Sequence, residues 1–290
     1  MKCNLCHDEI PPGKIKCLGC GTINIKGTTQ TSINNFQDGS VLLSDVVSAD
    51  EKRLDVGPFN RIFGGAILNP EEVENGEPEI NGPGLVEDSV CLIAGTPGAG
   101  KSTFSLHLID YIINKIGGEA LVIAAEESLP QIKARAIRIN IKNLTKIRMV
   151  GAMTGGVDLG AILVTRKPKI TIIDSLAGLV GEDDAASVEI CDIAKQYAEK
   201  LHCPIIITQH VNKSEEVSGV NTLQHKVDTV MIFRPYIDDG DLRELEVSPK
   251  NRFGRAFIKM YMIMGENGLE PLPVDFDPEE WAEMNKSEEE

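Results

Sequence analysis

The stretch Gly95-Thr96-Pro97-Gly98-Ala99-Gly100-Lys101-Ser102-Thr103 decides the fold of this 290-residue chain. It fits the P-loop pattern, in which glycine, four residues and Gly-Lys-Ser/Thr link a buried strand to a helix. An apolar run at residues 90–94 precedes it, and apolar side chains at helical spacing follow it at residues 104–113. Backbone N–H groups of such a loop converge on phosphate oxygens. The stretch therefore predicts a nucleoside triphosphate site rather than a chance glycine-rich turn.

Two side chains of the P-loop have separate expected roles. Lys101 would reach the β- and γ-phosphates, and Ser102 would ligate Mg²⁺. Thr103 is a neighbouring hydroxyl. All nine residues, 95–103, are candidate nucleotide contacts because the loop binds mainly through its backbone.

The composition describes a globular protein with one large core, since 42% of the residues are hydrophobic and 25% are charged. The sequence shows neither an apolar run approaching the ~20 residues of a membrane span nor a signal peptide, so we expect a cytoplasmic protein. The formal net charge of −15 disfavours nucleic-acid binding, which needs clustered Lys and Arg. Much of the acid, however, lies at residues 71–79 and 275–290, which we interpret as loops or tails.

Four of the seven cysteines form two Cys-x2-Cys pairs separated by ten residues: Cys3, Cys6, Cys17 and Cys20. This is close to the spacing of a four-thiolate zinc knuckle. A segment this short buries no core of its own, so a tetrahedral Zn²⁺ would supply its folding energy. The alternative is a redox or disulfide pair, although nothing points to an oxidising compartment.

Patterning along the chain divides it into four parts. The zinc knuckle covers residues 1–27, a Thr/Ser/Asn-rich linker covers 28–54, and an acidic tail covers 273–290. Between them, residues 55–272 alternate apolar strands with helical stretches, which predicts an α/β domain with a mostly parallel central sheet. We expect strands at 89–94, 119–125, 169–173, 204–209, 227–233, 244–248 and 256–264.

Polar residues at the strand ends are the candidate catalytic groups, because ligands bind at the carboxyl ends of parallel strands. Asp174 ends the run 169–173 and is the candidate Walker B carboxylate for Mg²⁺. Glu126 follows the strand at 119–125 and is the candidate general base. The alternative is that Glu126 and Glu127 cap the next helix. The end of the strand at 204–209 offers Gln209 and His210 as groups that sense the γ-phosphate, and His210 could equally be a core histidine.

Taken together, these motifs resemble the bacterial RadA/Sms DNA-repair family over residues 1–272. The most specific item is Lys250-Asn251-Arg252-Phe253-Gly254. The knuckle, the P-loop and a segment before it, Arg61-Ile62-Phe63-Gly64-Gly65, add to the resemblance. Further matching stretches are Glu126-Glu127-Ser128, Gln131-Ile132-Lys133-Ala134-Arg135-Ala136, Asp174-Ser175, His210-Val211-Asn212-Lys213 and Leu223-Gln224-His225-Lys226-Val227-Asp228.

The resemblance implies a RecA-like ATPase that uses ATP and Mg²⁺, forms a homo-oligomeric ring such as a hexamer, and carries Zn²⁺ in its knuckle. It also implies movement on single-stranded or branched DNA, branch migration in recombination and repair, and a recombinase or replication protein as partner, with no membrane. Lys250 and Arg252 inherit roles near the nucleotide of a neighbouring subunit and in DNA binding. The structural alternative is a basic hairpin turn.

This sequence departs from the family pattern in three places. We expect the chain to lack the family's C-terminal domain, which is similar to a Lon-type protease domain, and an acidic insertion occupies residues 69–84. Glu215 and Glu216 occupy a loop where DNA contact favours small or basic residues. Two other readings therefore stay open: a phage-type replicative ring DNA helicase, and a nucleotide-switched regulatory ATPase that binds protein partners and not DNA.

Overall fold

The computed structural model describes residues 51–65, 83–151, 158–181, 183–211, 222–236 and 240–286, together with Glu9. The chain divides into two units, Met1–Asp50 and Glu51–Glu290, and the described residues apart from Glu9 belong to the second. The four knuckle cysteines, nearly all of the linker, the loop with Glu215 and Glu216 and most of the acidic insertion lie outside the described residues.

A mixed sheet forms the centre of the second unit. Two short strands, β1 (Arg53–Leu54) and β2 (Leu85–Val86), pair antiparallel beside it. The sheet itself contains, in the described part, the nine strands β3 (Val90–Gly95), β4 (Ala120–Ala124), β5 (Ile147–Gly151), β6 (Ile170–Asp174), β7 (Ile205–His210), β8 (Thr229–Pro235), β9 (Leu242–Asn251), β10 (Lys259–Gly265) and β11 (Gly268–Pro271).

The strand order is β11-β10-β9-β8-β3-β7-β6-β4-β5. The six strands from β8 to β5 are parallel to one another, whereas β8, β9, β10 and β11 pair antiparallel. The buried runs of β3 and β4 are continuous rather than alternating, as expected for parallel strands covered on both faces. The α/β class with a mostly parallel central sheet is therefore confirmed.

Helices cover both faces of the sheet. They are α1 (Lys101–Ile116), α2 (Leu129–Arg138), α3 (Leu159–Arg166), α4 (Leu176–Val180), α5 (Asp184–Leu201) and α6 (Pro278–Lys286), with 3-10 helices at Gly57–Phe63 and Leu144–Lys146. One core cluster joins α1 to the first 3-10 helix, with Phe59 and Phe104 in edge contact at 4.9 Å. A second cluster lies under α3 and α5. The P-loop strand β3 contributes side chains to both clusters.

The end of the described chain is more structured than an acidic tail. Helix α6 lies within residues 273–290, and Phe276 packs on Tyr261 of β10 with ring centroids 5.7 Å apart. Aromatic side chains between the acidic residues provide this contact with the sheet. No helix in the described ranges is both long and apolar enough to cross a membrane.

Candidate active site

A cleft of about 320 Å³ lies beyond the carboxyl ends of β3, β4, β6 and β7. These parallel strands are neighbours in the sheet, so side chains far apart in sequence meet at one edge. The cleft combines cations, carboxylates and a glycine-rich backbone, which is the set of groups that phosphate binding uses. The lining residues are Pro97, Gly98, Gly100, Lys101, Ser102, Thr103, Glu126, Glu127, Arg135, Arg138, Asp174, His210 and Met264.

The P-loop glycines have backbone conformations and close contacts that a side chain would disturb. Gly98 has φ +78°, and Gly100, the N-cap of α1, has φ +114°. A Cβ atom at Gly95 would lie 2.0 Å from the carbonyl oxygen of Phe233. Around Gly98, by contrast, no atom of the described residues lies within 4 Å of a Cβ position. The loop is thus fixed at its base and open at its tip, which suits contact with phosphates at the start of α1.

Lys101 is only 4% exposed and points back into the loop. Its Nζ donates to the carbonyl oxygens of Gly95, at 2.8 Å, and Thr96, at 3.0 Å, and lies 3.4 Å from His210 Nδ1. Burial lowers the pKa of Lys101 to about 8, although Asp174 and Glu126 act in the opposite direction. The candidate phosphate cation therefore titrates close to neutral pH.

Glu126 and His210 form a pair across the cleft, with Glu126 Oε2 2.6 Å from His210 Nε2. Burial acts to raise the pKa of Glu126, but the hydrogen bond and charge of His210, with Ser175 and Lys101, lower it overall. Glu126 is thus ionised at neutral pH, as a general base must be. His210 lies in the site and not in the core, because its two ring nitrogens face Lys101 and Glu126.

Glu127 performs a different task from its neighbour. It forms a close ion pair with Arg135 of α2, at the wall of the cleft. Within the described residues, Glu127 Oε2 and Arg135 Nη1 are buried without a hydrogen-bond partner. Ser128 is the residue that caps α2, in a capping box with Gln131. The alternative of Glu126 and Glu127 as the helix cap is therefore wrong.

Asp174 lies where the Walker B carboxylate was expected, at the end of β6. Its Oδ1 accepts a hydrogen bond of 2.6 Å from Thr208 Oγ1 on β7. Ser102 lines the same cleft, and a carboxylate with a hydroxyl is an oxygen set that suits Mg²⁺. Ser102 and Asp174 would hold that ion. Among the described residues no group of three or more His, Cys, Asp or Glu side chains forms a metal site of its own.

Gln209 and His210 were predicted to share a role at the end of β7, but side chains alternate between the two faces of a strand, so these neighbours point in opposite directions. Thr208 and His210 are two positions apart, share one face of the sheet, and both contact site residues. Gln209 lies between them on the opposite face and is not part of the cleft lining. Its Oε1 is buried and has no hydrogen-bond partner in the described part of the chain. The structure thus places His210, and not Gln209, beside Lys101.

Lys250 and Arg252 lie at the other end of the sheet from the P-loop of their own chain. Arg252 Nη1 donates to Asp228 Oδ1 at 2.9 Å, and Asp228 Oδ2 accepts from the N–H of Val90, the first residue of β3. The six residues of β3 extend over roughly 16 Å. The structure therefore does not bring Lys250 and Arg252 together with Lys101 in the same chain.

The turn that carries Arg252, directly after Lys250 at the end of β9, packs against the segment that precedes the P-loop. A Cβ at Gly254 would lie 2.5 Å from Gly64 Cα, so the two backbones are in close contact. Arg53 joins them, because its guanidinium donates to the carbonyl oxygens of Phe253 at 2.7 Å and Gly64 at 2.9 Å. Two stretches of the family resemblance, 61–65 and 250–254, thus form one substructure.

Three residues of the cleft were not predicted from the sequence to lie there. Arg138 and Met264 line it, and Arg135 holds Glu127. Arg135 and Arg138 are three positions apart on α2, a spacing that places both on one helix face. This spacing is visible in the sequence and could have predicted that the two arginines lie together. Met264 gave no such signal, because its contact arises from the return of β10 toward the P-loop, where its Cε lies near Gly100.

Comparison with known proteins gives one family match and a consistent set of relatives. The family described as "ATPase: KaiC" matches residues 75–263. DNA repair protein RadA of Treponema pallidum (strain Nichols) is 30% identical over 269 residues, covering 87% of this chain and 57% of the relative. RadA of Bacillus subtilis (strain 168) is 28% identical over 296 residues, covering 92% and 58%. The chain thus spans a little over half the length of these relatives.

Proposed function

The chain belongs to the KaiC family of ATPases, and on that premise we propose that its Mg²⁺-dependent ATP hydrolysis drives a DNA recombination and repair motor. The observation that carries the proposal is the convergence of Lys101, Glu126 and Asp174 from separate loop and strand ends on one cleft. The relatives named DNA repair protein RadA support the choice of DNA as substrate.

On this proposal, five cleft residues have separate roles in hydrolysis. Glu126, ionised and at the cleft edge, accepts a proton from the attacking water. Lys101 leaves the carbonyls of its own loop to stabilise the charge of the β- and γ-phosphates. Ser102 and Asp174 would hold Mg²⁺, which would supply neutralisation of phosphate charge when bound. His210 contacts both Lys101 and Glu126, so a movement of either side chain changes a contact of His210.

A second copy of the chain completes this site. Arg252 is half exposed at the sheet end remote from its own P-loop, and transferring phosphoryl groups gain from a cation supplied across an interface. Lys250 braces the turn, because its Nζ donates to the carbonyl oxygens of Gln224 at 2.8 Å and Val227 at 2.6 Å. Head-to-tail contacts of this kind generate a ring when the rotation between neighbouring copies closes, and we propose a hexamer.

The proposed substrate is single-stranded or branched DNA, along which the protein would move to drive branch migration. The proposed partner is a recombinase or a replication protein. The net charge of −15 is no obstacle, because cations are concentrated locally. Residues 128–157 include six Lys and Arg and no Asp or Glu. Five of the six are exposed, on α2, on the segment that follows it and on β5, where Arg148 pairs with Glu119: Lys133, Arg138, Lys142, Lys146 and Arg148.

ATP turnover with and without DNA tests the motor proposal. Single-stranded oligothymidine should raise turnover, and rising salt should abolish the increase because phosphate contacts release counterions. Heparin, an anion without bases, is the control and should not replace DNA. Equal turnover under all conditions would favour the nucleotide-switched regulatory ATPase, to which the acidic surface is suited. Unwinding of forked DNA with a fixed polarity would favour the replicative ring helicase.

A further inference from the structure

Asp228 is a fully buried carboxylate that the steps above do not use. Its Oδ2 accepts from the backbone N–H of Val90 at 2.9 Å and from Lys195 Nζ at 2.7 Å. Its Oδ1 accepts from Arg252 Nη1 at 2.9 Å. One side chain therefore joins the first residue of the P-loop strand, helix α5 and the turn after β9. Buried charge is costly unless it is paired and hydrogen-bonded, and these three donors meet that need.

The backbone of Asp228 reinforces the same connections. Its N–H donates to the carbonyl oxygen of Val90 at 2.8 Å, and its own carbonyl oxygen accepts from the N–H of Arg252 at 3.1 Å. Arg252 is thus held at both its main chain and its guanidinium. Asp228, which positions it, is anchored in turn to the start of β3, the strand that leads into the P-loop.

We infer that Asp228 is a positioning residue for ATP hydrolysis, which holds the Arg252 guanidinium in place for the nucleotide of a neighbouring copy. The inference rests on the proposed role of Arg252 across the subunit interface. Asp228 binds Arg252 through one guanidinium nitrogen, and the Arg252 side chain remains 51% exposed. The bond therefore orients the cation without removing it from contact with a partner.

Charge around Asp228 also fits a positioning role. Lys195 has a second acidic partner, Glu199 at 3.4 Å, so the Asp228 carboxylate does not have to neutralise Lys195 alone and also holds Arg252. A preorganised guanidinium loses less conformational freedom when it meets a phosphate, and misplacement by about 1 Å can cost ~10²-fold in rate.

The test is Asp228→Asn in the full chain, which keeps the shape of the side chain and removes its charge. We expect turnover to fall by about 10- to 100-fold while ATP affinity stays unchanged, because the P-loop of the same chain is intact. Asp192→Asn is the matched control, since Asp192 pairs with Lys226 at the exposed surface near the same segment. Circular dichroism and thermal melting establish that both variants fold.

A double-mutant cycle separates positioning from a purely structural role. If Asp228 acts through Arg252, Asp228→Asn should add almost nothing to the loss caused by Arg252→Ala; two losses that multiply would overturn the inference. Mixing gives a second readout. Asp228→Asn chains should regain activity when mixed with Lys101→Ala chains, whose Arg252 is intact. If Arg252→Ala chains recover in such a mixture and Asp228→Asn chains do not, the inference is also overturned. If neither mixture recovers activity, the result would instead contradict the proposed role of Arg252 at the nucleotide of a neighbouring copy.

If Asp228→Asn does not fold, Asp228→Glu replaces it, because that variant keeps the buried charge and displaces the carboxylate by one methylene. The inference then expects reduced turnover that Lys101→Ala chains rescue. Full turnover of Asp228→Glu with unchanged ATP affinity would show that the position of this carboxylate does not matter, and would overturn the inference.

Discussion

Individual side chains in the cleft explain why one fold can both bind and cleave ATP. Lys101 is held on its own loop carbonyls, and Glu126 is held on His210. A bound triphosphate would replace the Lys101 contacts with stronger ones, because phosphate is a better acceptor for an ammonium than a carbonyl is. The candidate base and the candidate cation are therefore prepared in advance and linked through His210.

Replacing Lys101 with Ala should abolish hydrolysis. In the unaltered chain, the pH dependence of nucleotide binding should report the charge of the same lysine. Burial lowers the pKa of Lys101 to about 8, so the ammonium is present below that pH and is lost above it. Binding of ADP should therefore weaken by up to about tenfold per pH unit above 8. Calorimetry at a series of pH values measures this. The Lys101→Ala chain is the control and should show a flat profile; a flat profile in the unaltered chain would contradict the assignment.

Replacing Glu126 with Gln should leave ATP bound but slow its cleavage by roughly 10²-fold or more, which is the usual contribution of a positioned base. Single-turnover hydrolysis and equilibrium binding measure the two effects separately. Glu127→Gln is the matched control, because Glu127 pairs with Arg135 instead of facing His210. A slow Glu127→Gln beside a normal Glu126→Gln would exchange the two roles.

Secondary-structure elements differ in how visible they are in the sequence. The buried parallel strands β3, β4, β6 and β7 are continuous apolar runs with polar ends, so both their positions and the site residues Lys101, Glu126 and Asp174 could be predicted. Strand β5 was not predicted, because it is an edge strand, only partly buried, that contains Arg148. The register of β7, which turns His210 into the site and Gln209 away, depends on pairing with β3 across more than 100 residues.

The joint between the 250–254 turn and the segment before the P-loop depends on two glycines in close contact. Gly254→Ala should destabilise the fold by about 1–3 kcal/mol, because its Cβ would meet the Gly64 backbone, which Arg53 holds in place. Urea unfolding measures the change. Gly265→Ala is the control, since its Cβ would lie 4.0 Å from the nearest atom, the carbonyl oxygen of Gly268. Equal stability of the two variants would disprove a tight joint.

At the scale of the whole molecule, the ATPase and its resemblance to RadA/Sms are confirmed by the family match and by the relatives named RadA. The ring, the DNA track and the zinc knuckle stay predictions. Sequence could not place Lys250 and Arg252 relative to the P-loop, because that depends on where β9 joins the sheet. The structure puts them at the far end of β3, so their distance from Lys101 is what makes a second copy necessary to the proposal.

The zinc prediction concerns the first unit of the chain. Metal analysis should find about one Zn²⁺ per chain, bound by Cys3, Cys6, Cys17 and Cys20 with Zn–S distances of ~2.3 Å. Chelation should unfold this segment while ATP hydrolysis continues, because the second unit has hydrophobic clusters of its own. The variant Cys17→Ser should lose the metal, whereas Cys191→Ser, a change in the buried core, should keep it. A metal-free chain whose N-terminal segment is still folded would contradict the prediction of a zinc knuckle.

Mixing two inactive variants tests most directly whether a second copy completes the ATP site. Arg252→Ala chains should bind ATP normally and hydrolyse it ~10³-fold more slowly, as expected for loss of a cation supplied in trans. Lys101→Ala chains have no working P-loop but offer an intact Arg252. Once a labelled chain has shown that subunits exchange, the mixture should regain part of the lost turnover. Confirmed exchange with no recovery at any ratio would contradict a site shared between copies.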